Sequence, residues 1–233
     1  MHLDGSLQGG SLASDRPALR QRIVLLGPPA SGKGTQGELI AKRFGIVPTS
    51  SGALLREESR RGTELGRRAD DYTEKGQLVP DELILKLVEG WLEQQGERFV
   101  LDGFPRTLPQ GQALEELLQA RGSRLDVVFL FRVSEEEIGR RVLNRVTCDE
   151  CGEIFRLGQQ VQTVEDRCPA CGGRLSRRKD DTLEVLSARM EEYHVKTEPL
   201  VAFYRQRGIL RELDGDVSPE AVFEEISQVL EHA

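Results

Sequence analysis

Gly27-Pro28-Pro29-Ala30-Ser31-Gly32-Lys33-Gly34-Thr35 is the first stretch of this chain whose residue types and spacing could do chemistry. Its glycines let backbone N–H groups converge on phosphate oxygens, and Lys33 brings a full positive charge toward the terminal phosphates. The hydroxyl residue, Thr35, comes one place later than in the simplest phosphate-loop pattern, because Gly34 follows the lysine. An ordinary glycine-rich turn is the bland alternative. Against it, the apolar run Arg22-Ile-Val-Leu-Leu-Gly27 reads as a buried strand and the pattern from about 34 to 44 reads as a helix, which together frame such a loop. The loop implies a nucleotide phosphate. It does not separate a kinase from a motor, a transporter ATPase or a GTPase.

A second constellation is made of cysteine. All four lie in one window as two identical pairs, Cys148-x-x-Cys151 and Cys168-x-x-Cys171. Each knuckle folds back so that both sulfurs face one point, and two knuckles make a closed Cys₄ site of the kind that holds structural Zn²⁺. A redox pair, two disulfides or free buried thiols would leave the duplicated spacing unexplained. With no open coordination position, such a metal stabilises a small β-rich flap and takes no part in catalysis.

A third group is cationic. Asp102 and Arg106 close the run Leu101-Asp-Gly-Phe-Pro-Arg106, at the end of a predicted strand, where open α/β sheets place their ligands. There a carboxylate could hold Mg²⁺ through water and a guanidinium could clamp a phosphate in bidentate fashion. Asp-Gly and Phe-Pro also make turns without chemistry. On a predicted helix over 135–146, Ile138, Val142 and Val146 recur at spacing four and would pack inward, while Arg141 and Arg145 would share another face. Arg178 follows the cysteine window, and Arg189 lies on a predicted helix with the apolar stripe Leu183, Leu186, Met190 and Tyr193.

The elements that must position these groups follow from patterning. Apolar runs at 22–27, 99–102 and 126–133, with a weaker one at 209–213, alternate with helical patterns near 81–95, 108–121, 135–146, 181–206 and 218–231. That alternation implies an α/β fold, a parallel sheet covered by helices on both faces. Two segments interrupt it: a mostly polar helical stretch around 50–79 and the cysteine-bearing stretch around 147–180. Residues 1–20 lack periodicity and the features of a secretory signal and read as a disordered leader or tag, so the cytoplasm is the expected compartment. The 233 residues, 38% hydrophobic and 30% charged, suffice for one substantial core. A mean hydropathy of -0.42 and no long apolar run exclude an α-helical membrane span. A net charge of -7 and a pI near 5.2 argue against nucleic acid as partner.

The phosphate loop followed by Asp-Gly-Phe-Pro-Arg, in order and at matching separations from Arg22 to the C-terminus, resembles the nucleoside monophosphate kinases, the adenylate kinases in particular. The resemblance implies a P-loop core (21–49, 80–146 and 181–233), a helical monophosphate-binding insertion (50–79) and a zinc-bearing LID (147–180), as in some bacterial adenylate kinases. It implies Mg²⁺-dependent, reversible ATP + AMP ⇌ 2 ADP by a monomer, with ATP, AMP and ADP as its small-molecule partners. ATP would lie on Gly27, Pro28, Ala30, Ser31, Gly32, Lys33, Gly34 and Thr35, with Arg141 at the base, Arg145 at the transferring phosphates and Val217 completing the base pocket. AMP would meet Ser51, Arg56, Leu78, Val79, Gly103, Arg106 and Gln110, with Arg178 and Arg189 closing on the phosphates. Lys33, Asp102, Arg106, Arg145, Arg178 and Arg189 would form the catalytic set. Many relatives have Thr at Ser51, Asp at Ala53 and Arg at Val146, so the hydration of the metal and the role of that last arginine do not carry over. Rival readings are a UMP/CMP kinase, a GTP:AMP phosphotransferase and, from a different class, a zinc-ribbon nucleic-acid-binding nucleotide switch.

Overall fold

The computed structural model describes residues 22–95, 97–178 and 180–232. The expected leader, 1–20, lies outside them. Five strands form one parallel sheet in the order β2-β3-β1-β4-β8, with β1 at Arg22–Leu26, β2 at Val47–Ser50, β3 at Phe99–Asp102, β4 at Val127–Arg132 and β8 at Leu210–Asp214. A small antiparallel sheet, β6-β5-β7, is built from β5 (Arg145–Cys148), β6 (Ile154–Arg156) and β7 (Leu175–Ser176).

The continuous apolar runs are explained by burial on both faces. In β1, Val24 and Leu26 enter one core while Ile23 and Leu25 enter the other, and β4 divides Val128 and Leu130 from Val127, Phe129 and Phe131 in the same way. The first core is covered by α4 (Asp81–Gln95), α5 (Leu108–Ala120) and α8 (Pro199–Gln206), through Leu92, Leu114 and Tyr204. The second is covered by α1 (Lys33–Phe44) and α9 (Pro219–Glu231), through Ile40 and Ile226. The polar 50–79 stretch folds as α2 (Ser51–Arg60) and α3 (Glu64–Thr73). Ser50 and Thr63 cap these helices by accepting from the N–H groups of Ala53 and Gly66, and Thr107, Ser134, Thr182 and Ser218 act likewise elsewhere.

Three departures from the sequence expectations have physical causes. Strand β2 carries no apolar run. It holds only four residues, includes Pro48 and lies at the sheet edge, where a missing N–H is tolerated. The helix expected over 135–146 ends sooner: α6 spans Glu135–Leu143, and Arg145 and Val146 belong to β5. Val146 sits opposite Phe155 and is wholly buried in the flap, which its pairing with Ile138 and Val142 on one helix would not allow. Arg145 consequently does not share a helix face with Arg141. Finally, the single helix expected over 181–206 is divided into α7 (Leu183–Glu192), a π turn (Tyr193–Thr197) and α8. Pro199, which has no N–H to donate, starts the last piece.

Parallel register brings every strand's C-terminal end to one edge. Ser50 pairs with Asp102, Asp102 with Leu25, and Arg132 with Asp214, so the segments after β1, β2, β3, β4 and β8 open along the same cleft.

The insertion's two helices touch at Gly66, where an added Cβ would lie 2.4 Å from backbone atoms of Glu58 and Ser59. Backbone cannot yield as a side chain does. Gly66→Ala should therefore destabilise the protein by roughly 1–3 kcal/mol, read as a lower urea midpoint at unchanged m-value.

Candidate active site

The loop after β1 is shaped by three positive φ angles: Gly27 at 151°, Ala30 at 57° and Gly32 at 96°. A Cβ at Gly27 would meet the Phe131 carbonyl oxygen at 3.0 Å, so the loop cannot pass β4 with a larger residue there. Helix α1 follows with Gly32 at its N-cap, no side-chain cap and no acidic residue in its first turn. Its first N–H groups and the positive end of its dipole are thereby presented to an anion. The Lys33 Nζ donates to the Gly27 carbonyl (2.9 Å), the Pro28 carbonyl (2.7 Å) and Ser31 Oγ (3.0 Å). Burial lowers its pKa to about 8; Asp102 opposes that shift, and Arg106 and Arg145 reinforce it. Ser31 is buried, Gly34 faces Asp102, and Thr35 stands exposed in the first helical turn.

Beside the loop lies a shallow, solvent-open hollow lined by Ser31, Gly32, Thr35, Arg141, Gly215 and Val217, among others. Arg141 is nearly buried. Its guanidinium donates to Glu137 at 2.6 Å and to the Gly215 carbonyl at 2.6 Å. Pro28 contributes its carbonyl as a partner of Lys33.

On the opposite side, Gly103 takes a φ of 67° at the end of β3. A Cβ there would come within 2.7 Å of Arg106 Nη2 and 3.1 Å of Ser51 Oγ. The glycine lets one carbonyl, its own, accept from Ser51 Oγ at 2.6 Å and from Arg106 Nε at 2.7 Å. Gln110 is buried; its Oε1 accepts from the Arg106 N–H and its Nε2 donates to Asp81 at 2.6 Å. Asp81 also accepts from Thr107 Oγ1 at 2.7 Å, so it locks the turn that carries Arg106. Val79 belongs to the hydrophobic core and Leu78 is half-buried beside it.

Arg145 and Arg189 are held by carboxylates to which sequence reasoning gave no role: Asp181 takes Arg145 through two hydrogen bonds, at 2.8 Å from Nε and a shorter one from Nη2, and Asp180 takes Arg189. The acidic pair directly after the basic run 177–179 was the available signal. Arg178 donates to Thr147 Oγ1 at 3.1 Å, and burial, then Arg145 and Arg56, bring its pKa down to about 10. Arg56 is likewise lowered by burial, with Arg145 and Arg189 adding to the shift and Asp180 and Asp102 opposing it. Lys33, Arg56, Arg106, Arg145, Arg178 and Arg189 thus share one electrostatic field with Asp102.

The model of one protein family, adenylate kinase, matches residues 25–209. The chain belongs to the adenylate kinase family. It is 42% identical over 211 residues to an adenylate kinase of Archaeoglobus fulgidus, covering 90% of this chain and 97% of the relative. An adenylate kinase of Moorella thermoacetica is 43% identical over 211 residues with the same coverage, and one of Rhizobium etli is 41% identical over 212 residues, covering 90% and 98%. The chain is therefore a nucleotide-binding phosphotransferase. Among the described residues no helix is long and apolar enough to cross a membrane.

The four cysteines of the flap lie within 4.8 Å of one another, with Cys148 Sγ to Cys171 Sγ at 3.5 Å and Cys151 Sγ to Cys168 Sγ at 3.7 Å. Four sulfurs at ~2.3 Å from a tetrahedral zinc stand about 3.8 Å apart, so the donor set fits that ion. The knuckles are built alike: Gly152 and Gly172 both have φ 77°, donating to the carbonyls of Cys148 (3.0 Å) and Cys168 (2.8 Å). The backbone N–H of Cys151 leads the groups that bring the Cys148 thiol down to about 7, toward the thiolate a metal needs.

With its pKa brought down to about 8 by burial, Lys33 should set the pH dependence of phosphate binding. Below that value the amine is charged, and above it the phosphates meet a neutral group. The kcat/KM for MgATP should fall about tenfold per pH unit above ~8, while kcat holds to higher pH because bound phosphate retains the proton. Steady-state kinetics from pH 7 to 10 checks this.

Proposed function

We propose that the chain transfers the γ-phosphoryl group reversibly between ATP and AMP, giving two ADP, with each side chain in the role its position suggests. The reading rests on one observation: six cationic groups from separate elements converge on the cleft at the strand ends. Phosphoryl transfer asks for positioning and charge neutralisation more than for covalent chemistry. An oxygen of the AMP phosphate is already an anionic nucleophile. It attacks phosphorus in line, the bond to the bridging oxygen breaks, and the electron pair leaves on the β-phosphate of ADP.

In this assignment the backbone N–H groups of the loop and Lys33 hold the β- and γ-phosphates. Arg56 and Arg106 grip the AMP phosphate, and Arg145, Arg178 and Arg189 surround the group in flight. Ser51, Gly103, Leu78 and Val79 wall the acceptor base, and Gln110 presents its remaining N–H to it. Arg141 and Val217 flank the donor base. Asp102 and Thr35 are suited to the water shell of Mg²⁺, which when bound screens the charge of the donor phosphates. Zinc on Cys148, Cys151, Cys168 and Cys171 would keep the flap folded, since that flap's own core is limited to residues such as Val146, Phe155, Val161 and Leu175.

Residues 50–79 and 147–180 would be the moving parts, closing on the core to exclude water. The same reading makes the protein a cytoplasmic monomer without a nucleic-acid partner, supported by its net charge of -7.

Three outcomes test the proposal. With ATP as donor, ADP formation should be fast with AMP and at least about a hundredfold slower with CMP, UMP or GMP; preference for a pyrimidine would overturn the acceptor assignment. Lys33→Met should keep the fold and lower kcat by orders of magnitude, as a phosphate clamp would. Chelation at neutral pH should release zinc and lower the melting temperature by at least ~5 °C, about 2 kcal/mol for a chain of this size. Metal analysis and a thermal scan together decide it.

A further inference from the structure

Arg106 stands between β3 and α5, in a turn that belongs to neither element. Two side chains supply partners to its backbone. Its N–H donates to Gln110 Oε1 at 2.7 Å, and its carbonyl accepts from Thr197 Oγ1 at 2.8 Å, across 91 residues of sequence. Irregular backbone held by side chains shifts when one of them is lost, and the residue's own side chain shifts with it. Here that side chain is the Arg106 guanidinium, which leans on the Gly103 carbonyl and on Ser51 Oγ.

Thr197 makes this contact from an uncommon position. A threonine in a helical turn often returns its hydroxyl to a carbonyl one turn back. A hydroxyl has one proton, and Thr197 directs it to Arg106 instead. The residue closes the π turn, in which Tyr193 and Thr197 are buried while His194, Val195 and Lys196 face solvent. An apolar side chain would suit such an inward position better unless the hydroxyl had a partner to satisfy. The π turn continues α7 without a break, and α7 carries Arg189. Arg189 and the anchor of Arg106 therefore ride on one continuous helical segment.

We infer that Thr197 is a positioning residue for the acceptor phosphate: it touches no nucleotide and acts by fixing the carbonyl of Arg106, and with it the aim of the guanidinium. The inference deepens the proposed reaction and rests on Arg106 gripping the AMP phosphate there. Gln110, held in turn by Asp81, fixes the same residue from its N–H side. The two anchors come from α5 and from the segment after α7, so Arg106 keeps its place relative to both Gln110 and Arg189. Removing the Thr197 hydroxyl frees one end alone, which weakens the phosphate grip and leaves the base pocket in place.

The test compares Thr197→Val, which keeps the shape and removes the hydroxyl, with Thr197→Ser, which keeps the hydroxyl. Thr197→Val should lower kcat/KM for AMP roughly ten- to hundredfold, with the MgATP KM within about twofold. Equilibrium binding should show AMP weakened and adenosine, which has no phosphate, unchanged. Thr197→Ser should lie within about threefold of the unaltered protein. In an Arg106→Ala background, Thr197→Val should weaken AMP no further, since it acts through that side chain. Unchanged AMP affinity in Thr197→Val, equal weakening of adenosine, no rescue by serine, or a full effect in the Arg106→Ala background would each overturn the inference. Should Thr197→Val not fold, Thr197→Ala set against Thr197→Ser gives the same comparison. If Arg106→Ala alone left AMP binding intact, the proposed role of Arg106 itself would fall, a result distinct from any of these.

Discussion

Six cations that share one cleft at the strand ends repel each other, and the rest of this structure is arranged to hold them together regardless. Lys33 leans on two carbonyls and a hydroxyl, Arg106 on the Gly103 carbonyl, Arg145 on Asp181 and Arg189 on Asp180. Burial lowers the pKa values of Lys33, Arg106 and Arg178, and neighbouring arginines lower them further.

Such a cluster needs a rigid base. The five-stranded sheet supplies it by burying both faces, so that the strand ends keep their spacing while loops and helices project functional groups from them. Several site contacts run through backbone carbonyls: Gly103, Gly215 and Gly27 each accept from an arginine or lysine. Glycine at those points admits the close approach and makes the geometry depend on chain path more than on side-chain choice.

The flap answers a different constraint. Its three short strands bury few apolar side chains, too few to fold a module of that size unaided. The two cysteine knuckles concentrate four sulfurs at its far end. Its near end carries Arg145 and Arg156 on one ladder and Arg178 beside it, so the cysteine cluster and these arginines belong to one small body.

Local spacing alone determined the phosphate loop, the cysteine knuckles, the strand-end Asp102 and the alternation of strands with helices, because each is encoded within a dozen neighbouring residues. Tertiary structure decided what spacing cannot hold. Arg145 left the helix of Arg141 because Val146 found Phe155 across a ladder, and β2 formed at an edge without an apolar run because β3 was there to pair with it. Asp181, Asp180, Asp81 and Glu137 became partners of functional groups, two of them across long stretches of chain. Their roles are set by which charge or amide the fold brings near. That is a property of three-dimensional distance, and a sequence read in order does not contain it.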